Sequence, residues 1–243
     1  MKLLIFGFIC LAALAIPASA QQRTEIKAAD TSSPRATLKS FIEACNEVSE
    51  LVDEAGYLDR NSADHGRIAN RVVDCLNMSE TPQFARFQRA AEVAVCIKEI
   101  LDREEIPNWD QIPDTAEIEA AGGFEKLSTW RIPGTRITIA RVSEGPQKHE
   151  YLFSPGTISR AVDYFKSLRD QPYRTDGPAV SEGLYDNFLS APGHPVVAKI
   201  IKPLPTSFRR ARIFGMAAWK WPGVLLAFVL FKRMVFASRG RFP

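Results

Sequence analysis

Three histidines and four cysteines are the residues of this 243-residue chain whose side chains best suit metal binding or nucleophilic chemistry. Their spacing serves neither. His65, His149 and His194 are scattered, each beside turn residues or charge, and read as isolated surface histidines. There is no C-x-x-C, no H-E-x-x-H and no Cys/His spacing that suits zinc. A G-x-S-x-G elbow, a phosphate-cradling glycine loop and the signatures of penicillin-recognising enzymes are missing too. Asp102, Glu104 and Glu105 make a carboxylate cluster, but at a helix end such a cluster reads as a solvated face. The expectation is a chain that is not an enzyme, with no catalytic, metal-binding or cofactor-binding residues and no cofactor.

The chemistry these residues do suggest is that of a lipid interface. Residues 213–231 read IFGMAAWKWPGVLLAFVLF. Nineteen residues rise roughly 28 Å as a helix, just enough to cross a bilayer core. Trp219 and Trp221 flank Lys220, as residues at a membrane–water boundary often do, and Lys232-Arg233 stops the run. These five are the expected membrane-anchoring residues. Lys220 and Pro222 interrupt the segment, so a tilted marginal span, a span cut short and a buried helix stay open. Val196 to Arg212 alternates apolar and basic residues just ahead of it, fitting an interfacial stretch or a linker equally.

At the other end, Lys2 precedes an uncharged apolar run, Leu3 to Ile16, and Ala18-Ser19-Ala20 supplies small residues before a cut. That is a signal peptide over residues 1–20, which takes Cys10 with it. Export leaves Cys45, Cys75 and Cys96. They permit one disulfide and a spare thiol, but their apolar helical settings favour three small buried residues. A single span behind an exported region places its C-terminus inside. Lys232, Arg233, Arg239 and Arg241 agree with that orientation, whereas Arg209, Arg210 and Arg212 do not.

The elements between must position any site. Residues 21–33 read as a flexible lead. Ser33-Pro34 caps a helix with Leu38, Phe41, Ile42, Cys45, Val48 and Val52 on one face, ending near Gly56. Ser62 opens a second helix. Thr81-Pro82 opens a third, with Phe84, Phe87, Ala91, Ala94, Ile97 and Leu101 as its expected buried side. Together, residues 34–106 predict a helical bundle. Residues 107–195 predict a mixed segment: an acidic helix at 114–121, a hairpin at roughly 135–153, a helix from Ser154-Pro155 and a loop from Pro172. The expected fold class is α+β, mainly α, ending in a membrane helix at 213–231 and a short cytoplasmic tail at 232–243. The composition, 46% hydrophobic and 24% charged, excludes wholesale disorder and a protein made only of spans. With 31 basic and 28 acidic residues, charge gives no reason to expect a nucleic-acid partner.

Several stretches resemble large bacterial channels of the small-conductance mechanosensitive (MscS-like) family. They are Trp130-Arg131-Ile132-Pro133-Gly134-Thr135, Glu144-Gly145-Pro146, Glu150-Tyr151-Leu152-Phe153-Ser154-Pro155, Arg160-Ala161 and Pro172-Tyr173-Arg174. The opening Ser33-Pro34-Arg35-Ala36-Thr37-Leu38 is similar, as is Ala218-Trp219-Lys220-Trp221-Pro222-Gly223 at the entry to a first membrane helix. These motifs are turns and entry signals rather than chemical signatures. Members of that family conduct through a later Gly/Ala-rich helix followed by a cytoplasmic β-domain. This chain looks like the exported front part, truncated before both, so no pore residue carries over.

The resemblance implies an accessory or sensing domain, single-pass in a bacterial cell membrane, with its bulk in the periplasm. Its implied partners are the lipid bilayer and a channel subunit or a second copy of the chain. The alternative is an exported envelope-binding or structural module unconnected with ion conduction.

Overall fold

Ser33 and Pro34 start α1 (Pro34–Ala55) in the computed structural model, which describes residues 28–239, with side chains as far as Val235. The expected signal peptide at 1–20, Cys10, residues 21–27 of the lead and residues 240–243 of the tail lie outside the described residues. The Ser33 hydroxyl accepts from the Ala36 amide, and proline at the first helical position gives up no needed donor. Gly56 ends the helix at φ 74°, its amide donating to the Val52 carbonyl. Leu38, Phe41, Ile42, Cys45, Val48 and Val52 form the buried stripe.

The next two helices, α2 (Ala63–Asp74) and α3 (Arg86–Leu101), pack on it. The buried face of α3 differs from the sequence expectation. A 3-10 turn at Gln83–Ala85 precedes the helix proper and carries Phe84 out of its phase, 94% exposed, and Phe87 in the first turn of α3 is 66% exposed. Ala94, Ile97 and Leu101 are buried as expected, and Ala90, Val93 and Ile100 complete the core face. Two apolar faces let α3 pack against four other helices: α1, α2, α5 (Pro155–Leu168) and α6 (Leu184–Ser190).

The sheet holds three antiparallel strands in sequence order: β1 (Thr129–Arg131), β2 (Thr138–Arg141) and β3 (Tyr151–Phe153). The expected hairpin therefore gains a strand on its N-terminal side, where Trp130 pairs with Ile139. All three residues of β3 are buried. Hydrogen bonds tie the strand to the helices. The Thr37 hydroxyl of α1 donates to the Tyr151 carbonyl, and the Phe153 amide donates to the Cys75 carbonyl. At the start of α5, Thr157 Oγ1 accepts from the Thr138 amide and donates to its carbonyl, so one side chain closes the helix onto β2. The result is α+β and mainly helical.

A short helix, α4 (Thr115–Ala120), is latched to the start of α1 by charge. Asp114 and Glu117 form a capping box, the Ser33 hydroxyl donates to Asp114, and Arg35 pairs with both carboxylates. The Thr115 amide, the Ser33 hydroxyl and Arg35 hold the Asp114 carboxyl below its ordinary 3.8. Backbone amides and Arg35 lower that of Glu117. Depressed native values mean the latch stabilises above the ordinary carboxylate range and is lost as pH falls through the native values. Protection of the Ala36, Thr37 and Ile118 amides, taken relative to their intrinsic exchange rates at each pH, is thus expected to fall between about pH 5 and pH 2, with a flatter response in Asp114→Asn. An equally steep response in that variant would place the acid-sensitive group elsewhere.

Cys45, Cys75 and Cys96 are buried and free. Burial pushes the Cys45 and Cys96 thiols up to about 12 and raises Cys75 as well. Thiolate is therefore scarce at neutral pH, and these cysteines act as small apolar residues.

The chain expected to be loop and linker folds further. After α6 come α7 (Pro195–Ile201) and α8 (Thr206–Arg210), then a two-stranded hairpin of β4 (Arg212–Ile213) and β5 (Met216–Ala217). The last helix, α9, spans Trp221–Arg239. The expected helix over 213–231 is corrected accordingly: its first eight residues are hairpin and 3-10 turn, and the helix runs on past Lys232-Arg233. Among the described residues, no helix is long and apolar enough to cross a membrane.

Candidate functional site

Of the five expected anchoring residues, three form a collar at the base of α9 and two lie within it. The collar is built locally. Phe214 at φ 51° and Gly215 at φ 75° are the two central residues of the β4–β5 turn, the left-handed pair that a two-residue hairpin requires. Gly215 takes that conformation without strain, whereas Phe214 holds it at a cost and remains 91% exposed. The Trp221 indole donates to the Ile213 carbonyl, with its ring 5.9 Å from that of Phe214. Lys220 lies 5.4 Å from the Trp219 ring. The turn at Ala218–Lys220 then leads directly into α9.

The collar is seated on the body by the cations that sequence reading placed at an interface or linker. Arg210 donates to the Asp53 carbonyl at the end of α1, Arg212 pairs with Asp186 of α6, and Arg209 stacks near Tyr57. Gly56 admits α8 closely: a Cβ there would meet the Thr206 methyl at 3.0 Å. Ala198 and Ile201 of α7 and Ala217 and Ala218 of the collar are buried.

Beyond the collar, α9 presents an unusual surface. Val224, Leu225, Leu226, Phe228, Val229, Leu230, Phe231 and Met234 are each 45–65% exposed. At 100° per residue these positions go right round the helix, so no one face is the buried one. The uncharged run Trp221–Phe231 rises about 16 Å, roughly half of a 30 Å bilayer core. Lys232 folds back to within 5.5 Å of the Phe228 ring, and Arg233 is also exposed.

A second constellation escaped sequence reading. Asp102, expected on a solvated face, is fully buried, as is Lys98 one turn earlier. Lys98 Nζ lies 2.5 and 2.7 Å from the two carboxylate oxygens and also donates to the Ala179 carbonyl. The Ser181 amide donates to Asp102, and Arg174 sits 3.7 Å away. Burial raises the Asp102 carboxyl against the pull of Lys98, the Ser181 amide and Arg174. Beside it, Glu99 takes Arg103, the Tyr173 hydroxyl and the Tyr185 amide. The two pairs clasp residues 173–185 onto α3. The sequence signal was the Lys98–Asp102 and Glu99–Arg103 spacing of four, on a helix apolar on more than one face.

The histidines divide. His194 accepts from the Val196 amide and caps α7, while His149, at φ 81°, contacts Arg141. His65 lines a cavity and has a buried Nδ1 with no hydrogen-bond partner. Among the described residues, no group of three His, Cys, Asp or Glu side chains could hold a metal ion.

No family model, curated protein or solved structure matches the chain.

Proposed function

We propose that this chain is an envelope domain anchored to a lipid bilayer through its C-terminal segment, in an accessory or sensing role beside a mechanosensitive-channel-like protein. The observation that carries the anchoring is the stretch of α9 from Val224 to Phe231, whose apolar side chains are exposed all round the helix. In water such a surface is unfavourable by about 25 cal/mol per Å² of apolar area, and a bilayer removes that cost. Trp219 and Trp221 would sit at the headgroups, with Lys220 reaching them from the same level.

Lys232 and Arg233 each cost about 3 kcal/mol at a helix centre. A tilted helix with both side chains reaching toward polar surroundings reduces that cost. The channel connection rests on the sequence resemblance at Trp130–Thr135, Glu150–Pro155 and the helix entry. The single-pass topology, with the body outside and Lys232-Arg233 inside, rests on the signal-peptide reading.

Cell fractionation with an alkaline wash tests the anchor. The intact chain is expected in the washed membrane pellet, and a chain lacking residues 221–239 in the soluble exported fraction. An intact chain that washes off would defeat the reading. The alternative, an envelope-binding module unconnected with ion conduction, draws support from a separate feature of the body, its apolar cavity.

A further inference from the structure

A cavity of about 360 Å³ opens between α1, α2, α3 and α6. Small-molecule sites run from about 300 to 1,000 Å³, so this one suits a small ligand. Val48 of α1, Val72 of α2, Ala91 and Val95 of α3 and Phe188 of α6 line it. It lies where the main core meets a smaller one built on Val48, Val52, Leu58, Leu184 and Phe188. The space exists because small residues face each other: Gly66 and Ala69 on α2, Ala91 and Ala94 on α3. Larger side chains there would close it.

Three polar side chains interrupt the apolar lining: Arg60, His65 and Gln88. Arg60 donates to the Phe188 carbonyl at 2.7 Å and lies 4.2 Å from the Phe188 ring centroid. Among the described residues no carboxylate pairs with it. The adjacent Asp59 is instead engaged by the Asn61 amide and the Tyr57 hydroxyl. His65 Nδ1 is shut off from water without a partner. The buried His65 ring nitrogen lacks a partner that a ligand headgroup could supply, and the exposed Arg60 guanidinium at the mouth of the slot carries no counter-charge. A guanidinium takes a carboxylate with charge-assisted, often bidentate hydrogen bonds.

We propose that this cavity binds a free, medium-length fatty acid. Its chain lies among Val48, Val72, Ala91 and Val95, and its carboxylate on Arg60 beside His65. The ligand is single-chained because the walls come from four helices around one slot of limited volume. It is anionic because the rim carries an unpaired cation.

Amide exchange read by mass spectrometry, on the full chain held in amphipol, tests this with decanoate and decanol as probes. Decanoate is expected to slow exchange in peptides covering Ala63–Asp74 and Arg86–Leu101. Arg60→Gln should weaken decanoate about tenfold or more and leave decanol unchanged. Ala91→Leu, which fills the slot from α3, should abolish protection by both probes. Should that variant fail to fold, Ala69→Leu fills it from the opposite wall. Absence of protection in the native chain, or undiminished protection in both filled variants, would overturn the site. Equal decanoate affinity in Arg60→Gln would overturn the carboxylate assignment. Protection by phospholipid vesicles alone, without added acid, would overturn a free acid as the ligand.

Discussion

Asp102→Asn is expected to destabilise the protein by about 3–5 kcal/mol, the usual result of removing one partner from a buried ion pair. Lys98 has no exposed surface, and its ammonium would be left with an amide and the Ala179 carbonyl in place of a carboxylate. Arg174, 3.7 Å from the same carboxylate, would lose its counter-charge as well. A domain of ordinary stability, about 5–15 kcal/mol, would keep little margin. The same physics predicts that Lys98→Met combined with Asp102→Leu does far less harm, because no charge is then stranded. Urea unfolding followed by near-ultraviolet circular dichroism measures both. A double variant as unstable as the single one would mean that the charges are needed for the clasp itself, through Ser181 and Ala179, rather than merely tolerated.

The second large effect is expected at Phe153. Its ring has no exposed surface and meets Phe41 edge-on at 4.8 Å between centroids. Its backbone joins β3 to Cys75 and Asn77 after α2, so the residue cannot move far to close a void. Phe153→Ala should cost about 3–5 kcal/mol, at the upper end because relaxation is restrained on both sides. Phe153→Leu keeps most of the volume and should cost about 1.5 kcal/mol or less. Combining Phe153→Ala with Phe41→Ala should cost less than the sum, since the second truncation removes a contact already gone. Strict additivity would show that the two rings contribute independently.

Elements governed by local rules were legible in the sequence. Ser33-Pro34 and Gly56 bound α1 because an N-cap, a first-turn proline and a left-handed glycine each act over a few residues. Ser154-Pro155 marks α5 for the same reason. Elements that depend on tertiary context were not. The first seven residues of the 213–231 run are uncharged and mostly apolar, so hydropathy offered no sign of the turn at Phe214-Gly215 that breaks it. Phe84 and Phe87 fit the helical spacing of α3, but Phe84 falls in the 3-10 turn ahead of Arg86 and Phe87 in the exposed first turn of the helix, and neither joins the core. Asp102 looked solvated because its neighbours are charged. What buries it is a segment from about seventy residues later, Tyr173 to Ser181, arriving over the helix.

The Trp219–Trp221 pair expected at a helix entry does lie where α9 starts. The apolar cavity was not legible. The alanines and glycine that shape it are ordinary helix residues until two helices are set face to face.

The collar leaves α9 without slack. From Pro195 to Trp221 nearly every residue belongs to a short helix, the hairpin or a turn, and Gly56, Asp53 and Asp186 hold that stretch down. A floppy tether would let a helix tilt while the body stayed indifferent. This joint behaves as the root of a lever. A torque on α9 reaches the C-terminal end of α1 and α6 directly, and α6 is also a wall of the cavity. Tilting α9 by a few degrees therefore loads Arg212–Asp186 and the small core around Phe188 before it loads the sheet.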